Sequence, residues 1–159
     1  MGKFSTTSSS ACTSCTAGKY TNVEKSTLCL ACAAGNYTGS VGSTDCKKCP
    51  AGKATGATGQ GSCTACVIGK FSAKSGALSC TNCASGRYQA ITSATDCDLC
   101  PPGMYASSTG EHECQICEEN TIAPIAGMTV CDTCSAPTQT NGSSAGRLDR
   151  LNCTACDYR

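Results

Sequence analysis

Tryptophan is absent from this sequence, phenylalanine occurs twice, and tyrosine only five times among 159 residues. So few large apolar side chains cannot fill one compact core for a chain of this length, and stability has to come largely from cross-links or bound metal. No apolar run approaches the ~20 residues needed to span a bilayer. The N-terminal MGKFSTTSSSAC also lacks the apolar stretch of a signal peptide, so direct membrane insertion of this segment is not expected. An excess of one charge is missing too: twelve basic residues against eleven acidic ones leave no overall field that would steer nucleic acid or an anionic membrane. The single histidine, His112 in GEHEC, has no second histidine with which to complete a metal set or an acid–base pair. Paired charges such as Lys47 and Lys48, or Glu118 and Glu119, read as solvated positions. The glycine-rich TGATGQG lacks the following lysine and the strand-to-helix setting of a phosphate loop. Neither an enzyme nor a cofactor is expected.

What is present is cysteine, eighteen of them, more than a tenth of the chain and past the level that indicates a disulfide scaffold. They fall into nine Cys-x-x-Cys pairs, beginning with Cys12 and Cys15 and ending with Cys153 and Cys156; the first eight pairs recur every 17 residues and the last step is 22. A fixed short period makes this a tandem array. Other residues keep the same register. Glycine stands three residues after the second cysteine, at Gly18, Gly35, Gly52, Gly69, Gly86 and Gly103, and two residues later comes an aromatic, at Tyr20, Tyr37, Phe71, Tyr88 and Tyr105. Ala54 and Ile122 replace the aromatic, and Asn120 replaces the glycine. Asn is the residue after Gly that best tolerates positive φ, so the position demands a left-handed backbone. A second small residue precedes most first cysteines by four, at Gly42, Gly59, Gly76, Ser93, Gly110 and Gly127.

Turn chemistry midway between the pairs, as at Gly39 and Ser40 or at Ser107 and Ser108, implies a short strand from the aromatic, a turn, and a return strand ending at the next cysteine. Such a turn brings the second cysteine of one pair opposite the first of the next, within the ~5.5 Å Cα separation a disulfide needs. The expected bridges are Cys15 with Cys29, Cys32 with Cys46, Cys49 with Cys63, Cys66 with Cys80, Cys83 with Cys97, Cys100 with Cys114, Cys117 with Cys131, and Cys134 with Cys153. Cys12 and Cys156 are left unpaired, and both are expected to bond beyond a chain cut from a longer array, or to neighbouring molecules. The repeat aromatics are expected to pack on the neighbouring bridge, and stacked hairpins to make an elongated rod of 17-residue units, small, disulfide-rich and mostly irregular apart from the short β-hairpins. Residues 1–134 form the regular array, and residues 135–159 an atypical longer repeat and the start of another.

Three other uses of Cys-x-x-Cys compete with this ladder. A zinc ribbon fits poorly, because nine pairs do not divide into four-cysteine sites and the 13-residue spacers are shorter than the usual ~15 to 20. Thioredoxin-like chemistry needs one privileged pair on a βαβ frame. A metallothionein-like cluster would not hold an aromatic in register.

The unit Cys-x-x-Gly-Lys-Tyr, about nine residues, then Cys-x-x-Cys resembles the ephrin-receptor-like cysteine-rich repeat, itself similar to the first module of tumour necrosis factor receptor repeats. CKKCPAGKA at residues 46–54 and CDLCPPGMY at 97–105 carry the likeness most fully, and it extends over residues 2 to 134. The resemblance implies the same bridge ladder and an extracellular setting, as in protist surface antigens and fibrous appendages. Cysteine usage agrees, since secreted chains use such cysteines as bridges. Sequons at Asn36, Asn141 and Asn152 are acceptors for surface glycans. The expected role is an extracellular structural protein of a filament, appendage or cell-surface coat, whose partners are further copies or other extracellular structural proteins. A ligand-binding receptor ectodomain is the alternative.

Overall fold

The computed structural model describes residues 1–5 and 11–134, together with two further strands, Thr138–Gln139 and Thr154–Ala155. Among the described residues there is no helix; every strand is two residues long, and each belongs to a two-stranded sheet. Contacts divide the chain into two compact units. One comprises Met1–Cys66, Ser72–Thr81 and Ser93–Thr95, and the other Val67–Phe71, Asn82–Thr92 and Asp96–Arg159.

In the first unit Lys3–Phe4 pairs with Thr13–Ser14, Lys19–Tyr20 with Leu30–Ala31, Asn36–Tyr37 with Lys47–Lys48, and Lys53–Ala54 with Thr64–Ala65, all antiparallel. In the second, Arg87–Tyr88 pairs with Asp98–Leu99, Met104–Tyr105 with Gln115–Ile116, and Thr121–Ile122 with Asp132–Thr133. The return strand is therefore the pair of residues between the two cysteines, one step later than the turn pattern implies. The reason is the bond that sets the register: the N–H of Cys32 donates to the carbonyl of Gly18 at 2.8 Å, and that of Cys100 to Gly86 at 2.9 Å. Pairing is thereby drawn past the first cysteine and up to the second.

Each first strand begins in a tight turn. The amide of Lys53 donates to the Pro50 carbonyl at 3.1 Å and that of Met104 to Pro101 at 3.1 Å, with Gly52 and Gly103 third in the turn at φ of 80° and 82°. A positive φ at that place is what a type II turn requires. Asn120 meets the same demand at 60°, as expected from its place in the register.

Repeats are joined sideways by backbone hydrogen bonds. The amide of Gly18 donates to the Thr38 carbonyl at 2.7 Å, that of Thr21 to Ser43 at 3.2 Å, and that of Gly42 back to Cys15 at 2.7 Å. The second unit repeats the scheme, with Gly86 to Ala106 at 2.8 Å, Gln89 to Glu111 at 3.1 Å, and Gly110 to Cys83 at 2.8 Å. Parallel bridges at Phe4 with Ser26, Tyr20 with Ser43 and Tyr37 with Gln60 reinforce the stacking. With few large side chains available, the buried groups are sulfur, glycine and small side chains. Seven second cysteines, Cys15 through Cys117, are 0% exposed, and Ala54, Ala106, Ala123, Thr21, Thr38 and Ser72 are buried beside the ladder.

Past Cys134 the hairpin register persists: Thr138 pairs with Ala155 and Gln139 with Thr154. The five extra residues of this repeat fall in the connection between those strands, and the rest of residues 135–159 lies outside the described residues.

Candidate functional site

The candidate functional element is the joint between hairpins. Its parts are a Cys-x-x-Cys pair, the turn that follows, and the bridges leaving in two directions. Seven disulfides are present: Cys15–Cys29, Cys32–Cys46, Cys49–Cys63, Cys66–Cys80, Cys83–Cys97, Cys100–Cys114 and Cys117–Cys131. Each spans 14 residues, with Cα atoms 5.6 to 5.8 Å apart. Within each pair from Cys29/Cys32 to Cys114/Cys117 the second cysteine is buried and bonds forward along the sequence, while the first receives the bridge from behind. In these pairs neither cysteine bonds to its neighbour three residues away, and every sulfur is taken up in a bridge.

At the ends, Cys12 is exposed and free. Cys134 is half-buried and disulfide-bonded, whereas its expected partner Cys153, like Cys156, lies outside the described residues.

The repeat aromatics Tyr20, Tyr37, Phe71, Tyr88 and Tyr105 are all half-buried at the ends of first strands. Tyr105 shares a hollow of about 230 Å³ with Cys131, the far cysteine of the following bridge. Ala54, at the aromatic position of its own repeat, lines a hollow of about 390 Å³ together with Cys80.

Asn36 is half-buried in a strand, and its side-chain amide donates to the Ala34 carbonyl at 3.3 Å. Thr38 of the same sequon is 7% exposed and shares a hydrogen bond with the Ser43 hydroxyl. Asn141 and Asn152 lie outside the described residues. His112 is exposed. Among the described residues no group of three His, Cys, Asp or Glu converges as a metal site would require, and no helix is long and apolar enough to cross a membrane.

Two positions matter more than their residue types announce. One follows the aromatic and holds Thr21, Thr38, Ser72, Gln89, Ala106 or Ala123. These six are buried and Thr55, in the same place, is half-buried; from Thr21 to Ala106 the carbonyl accepts from the repeat before and the amide donates to the repeat after. The signal of this position in the sequence is faint, a small or polar residue in register. The other is the small residue four before the first cysteine. Gly42, Gly59, Gly76, Gly110 and Gly127 have φ between 71° and 82°, and Ser93 and Lys25 hold the same conformation at 61° and 56°.

Gln89 shows how one repeat reinforces its own loop. Its Nε2 donates to the Asp96 carbonyl at 2.8 Å, and its Oε1 accepts from the Ile91 amide at 3.1 Å. Beside it, Nη1 of Arg87 donates to the Cys97 carbonyl at 2.7 Å.

Seven tandem bridges are the chemistry of an extracellular, disulfide-rich domain, since such bonds persist in oxidising surroundings. A family model described as tyrosine-protein kinase ephrin type A/B receptor-like matches residues 2–49, 52–100 and 69–110, together more than half of the chain. No curated protein matches it.

Proposed function

Because the chain belongs to the ephrin-receptor-like family of cysteine-rich repeats, we propose that it is an extracellular structural protein without an active site, a rod of disulfide-laddered units in a filament, appendage or cell-surface coat. The observation that supports this reading is the identity of the joint from one repeat to the next. Each bridge spans 14 residues at a Cα separation no greater than 5.8 Å. Under tension the covalent path runs through the bridge and then through the three-residue step of Cys-x-x-Cys. That path is about 16 Å when taut, against ~60 Å for 17 free residues. A pulled array therefore stops extending at roughly a quarter of the free chain's length. The constant 17-residue unit also repeats the same surface, which suits it to repeated contacts.

Negative-stain microscopy of the native, oxidised material tests the assembly reading. Filaments or ordered sheets are expected, and monomers that stay dispersed at high concentration contradict it. A ligand-binding receptor-type ectodomain is the second reading, favoured by the family description. A monomer with one saturable protein-binding site would support that reading instead. Glycan attachment at Asn36 belongs to the proposal as well, and is read as a mass loss on enzymatic deglycosylation.

A further inference from the structure

The near-neutral total conceals a division along the chain. Residues 1–87 hold nine Lys or Arg and two Asp or Glu, a formal +7, whereas residues 88–134 hold no Lys or Arg and seven Asp or Glu, a formal −7. Residues 135–159, with three Arg and two Asp, restore the total of +1.

The fold orders the basic part. The residue after the repeat glycine pairs across its hairpin with the second residue between the next two cysteines. In Lys3 with Ser14, Lys19 with Ala31, Asn36 with Lys48, Lys53 with Ala65, and Arg87 with Leu99, one partner is a cation. Lys70 follows Gly69 in the same register. Six successive repeats thus carry one cation at one cross-strand site, and opposed residues of an antiparallel pair share a face. The next two hairpins carry none there, with Met104 opposite Ile116 and Thr121 opposite Thr133. Acidic residues take over at other exposed places of the same unit: Asp98 and Asp132 between cysteines, Asp96 and Glu113 just before one, and Glu118 and Glu119 just after one.

We propose that the basic segment, residues 3–87, docks on the acidic segment, residues 96–132, of a second copy of this chain. The inference rests on the assembling role proposed above and names the contact. A second copy is the fitting occupant because it brings an opposite formal charge of equal size, carried on units of the same 17-residue length, with Asp96 and Glu113 one period apart. Like segments laid together repel, which sets the register of the contact. Exposed ion pairs are individually worth only ~0.2–1 kcal/mol and are screened by salt, so the contact depends on several repeats acting together.

The test is sedimentation velocity on the oxidised chain at ~10 mM and ~1 M salt, where the Debye length is about 30 Å and 3 Å. Association at low salt and monomers at high salt are expected. Reversing Lys19→Glu, Lys48→Glu and Lys53→Glu together should weaken association by ~10-fold or more, and so should Glu118→Lys, Glu119→Lys and Asp132→Lys. An equimolar mixture of the two variants should regain it, because each retains the segment the other has lost. Non-reducing mass spectrometry confirms that both variants keep their bridges. Association indifferent to salt or to both reversals overturns the proposal. So does a wild type that remains monomeric at low salt yet binds a sulfated polysaccharide, which would give the basic segment a polyanionic partner. Filaments that survive both reversals would remove this contact and leave the structural role standing, whereas monomers under every condition would remove both.

Discussion

Replacing Gly52 by alanine separates two demands that the fold makes on one backbone position. Gly52 has φ of 80°, where an L-residue costs ~1–2 kcal/mol. A Cβ there would also collide with the carbonyl of Ser93, two repeats onward, coming within 2.8 Å of its carbon. That backbone cannot swing aside freely, because the Ser93 amide is bonded to Cys66 at 2.8 Å. Overpacking against a fixed neighbour adds ~1–3 kcal/mol, so Gly52→Ala should cost about 2–5 kcal/mol. Gly76 is the control: its φ is 78°, but a Cβ would meet only the flexible Lys48 side chain, at 3.5 Å. Gly76→Ala should cost only the ~1–2 kcal/mol of conformation. Tandem arrays open locally, so the assay is hydrogen exchange by mass spectrometry with disulfides intact, read at positions 52 and 93. With tenfold for each 1.4 kcal/mol, exchange should rise ~30- to 4000-fold in the first variant and ~5- to 30-fold in the second. Equal acceleration in both would refute the close approach.

Lys25→Gly should stabilise its repeat by about 0.5–1 kcal/mol, because Lys25 holds a φ of 56° that glycine adopts without strain; slower local exchange checks it. Gln89→Ala removes both hydrogen bonds that close its loop and should cost about 1–2 kcal/mol, visible as faster exchange at Ile91. A chelator should leave the fold unchanged, whereas a thiol reductant should dissolve it, since each bridge closing a loop of this size is worth roughly 3 kcal/mol. Far-ultraviolet circular dichroism with and without each reagent checks both, and loss of structure with the chelator alone would contradict the ladder.

The repeat, the bridge order and the left-handed place of Asn120 are legible in the sequence because cysteine, glycine and asparagine have few substitutes for what they do. The return strand is misplaced by the same reading, since turn residues announce where a hairpin bends but not which backbone pairs close it. The lateral bonds, such as Gly42 to Cys15, are made wholly by the main chain and leave almost no side-chain trace. Lys25 and Ser93 disguise the second left-handed position, which glycine alone would have exposed. Whole-chain charge hides the division between residues 1–87 and 88–134, because the two segments cancel.

The fold depends on the direction in which each cysteine pair faces. Non-reducing proteolysis followed by mass spectrometry reads it directly. The ladder predicts a cross-linked species joining Cys15 to Cys29, and likewise Cys32 to Cys46 and onward to Cys117 with Cys131. Peptides in which Cys29 is closed on Cys32, or free thiols accompanied by stoichiometric zinc, would contradict it.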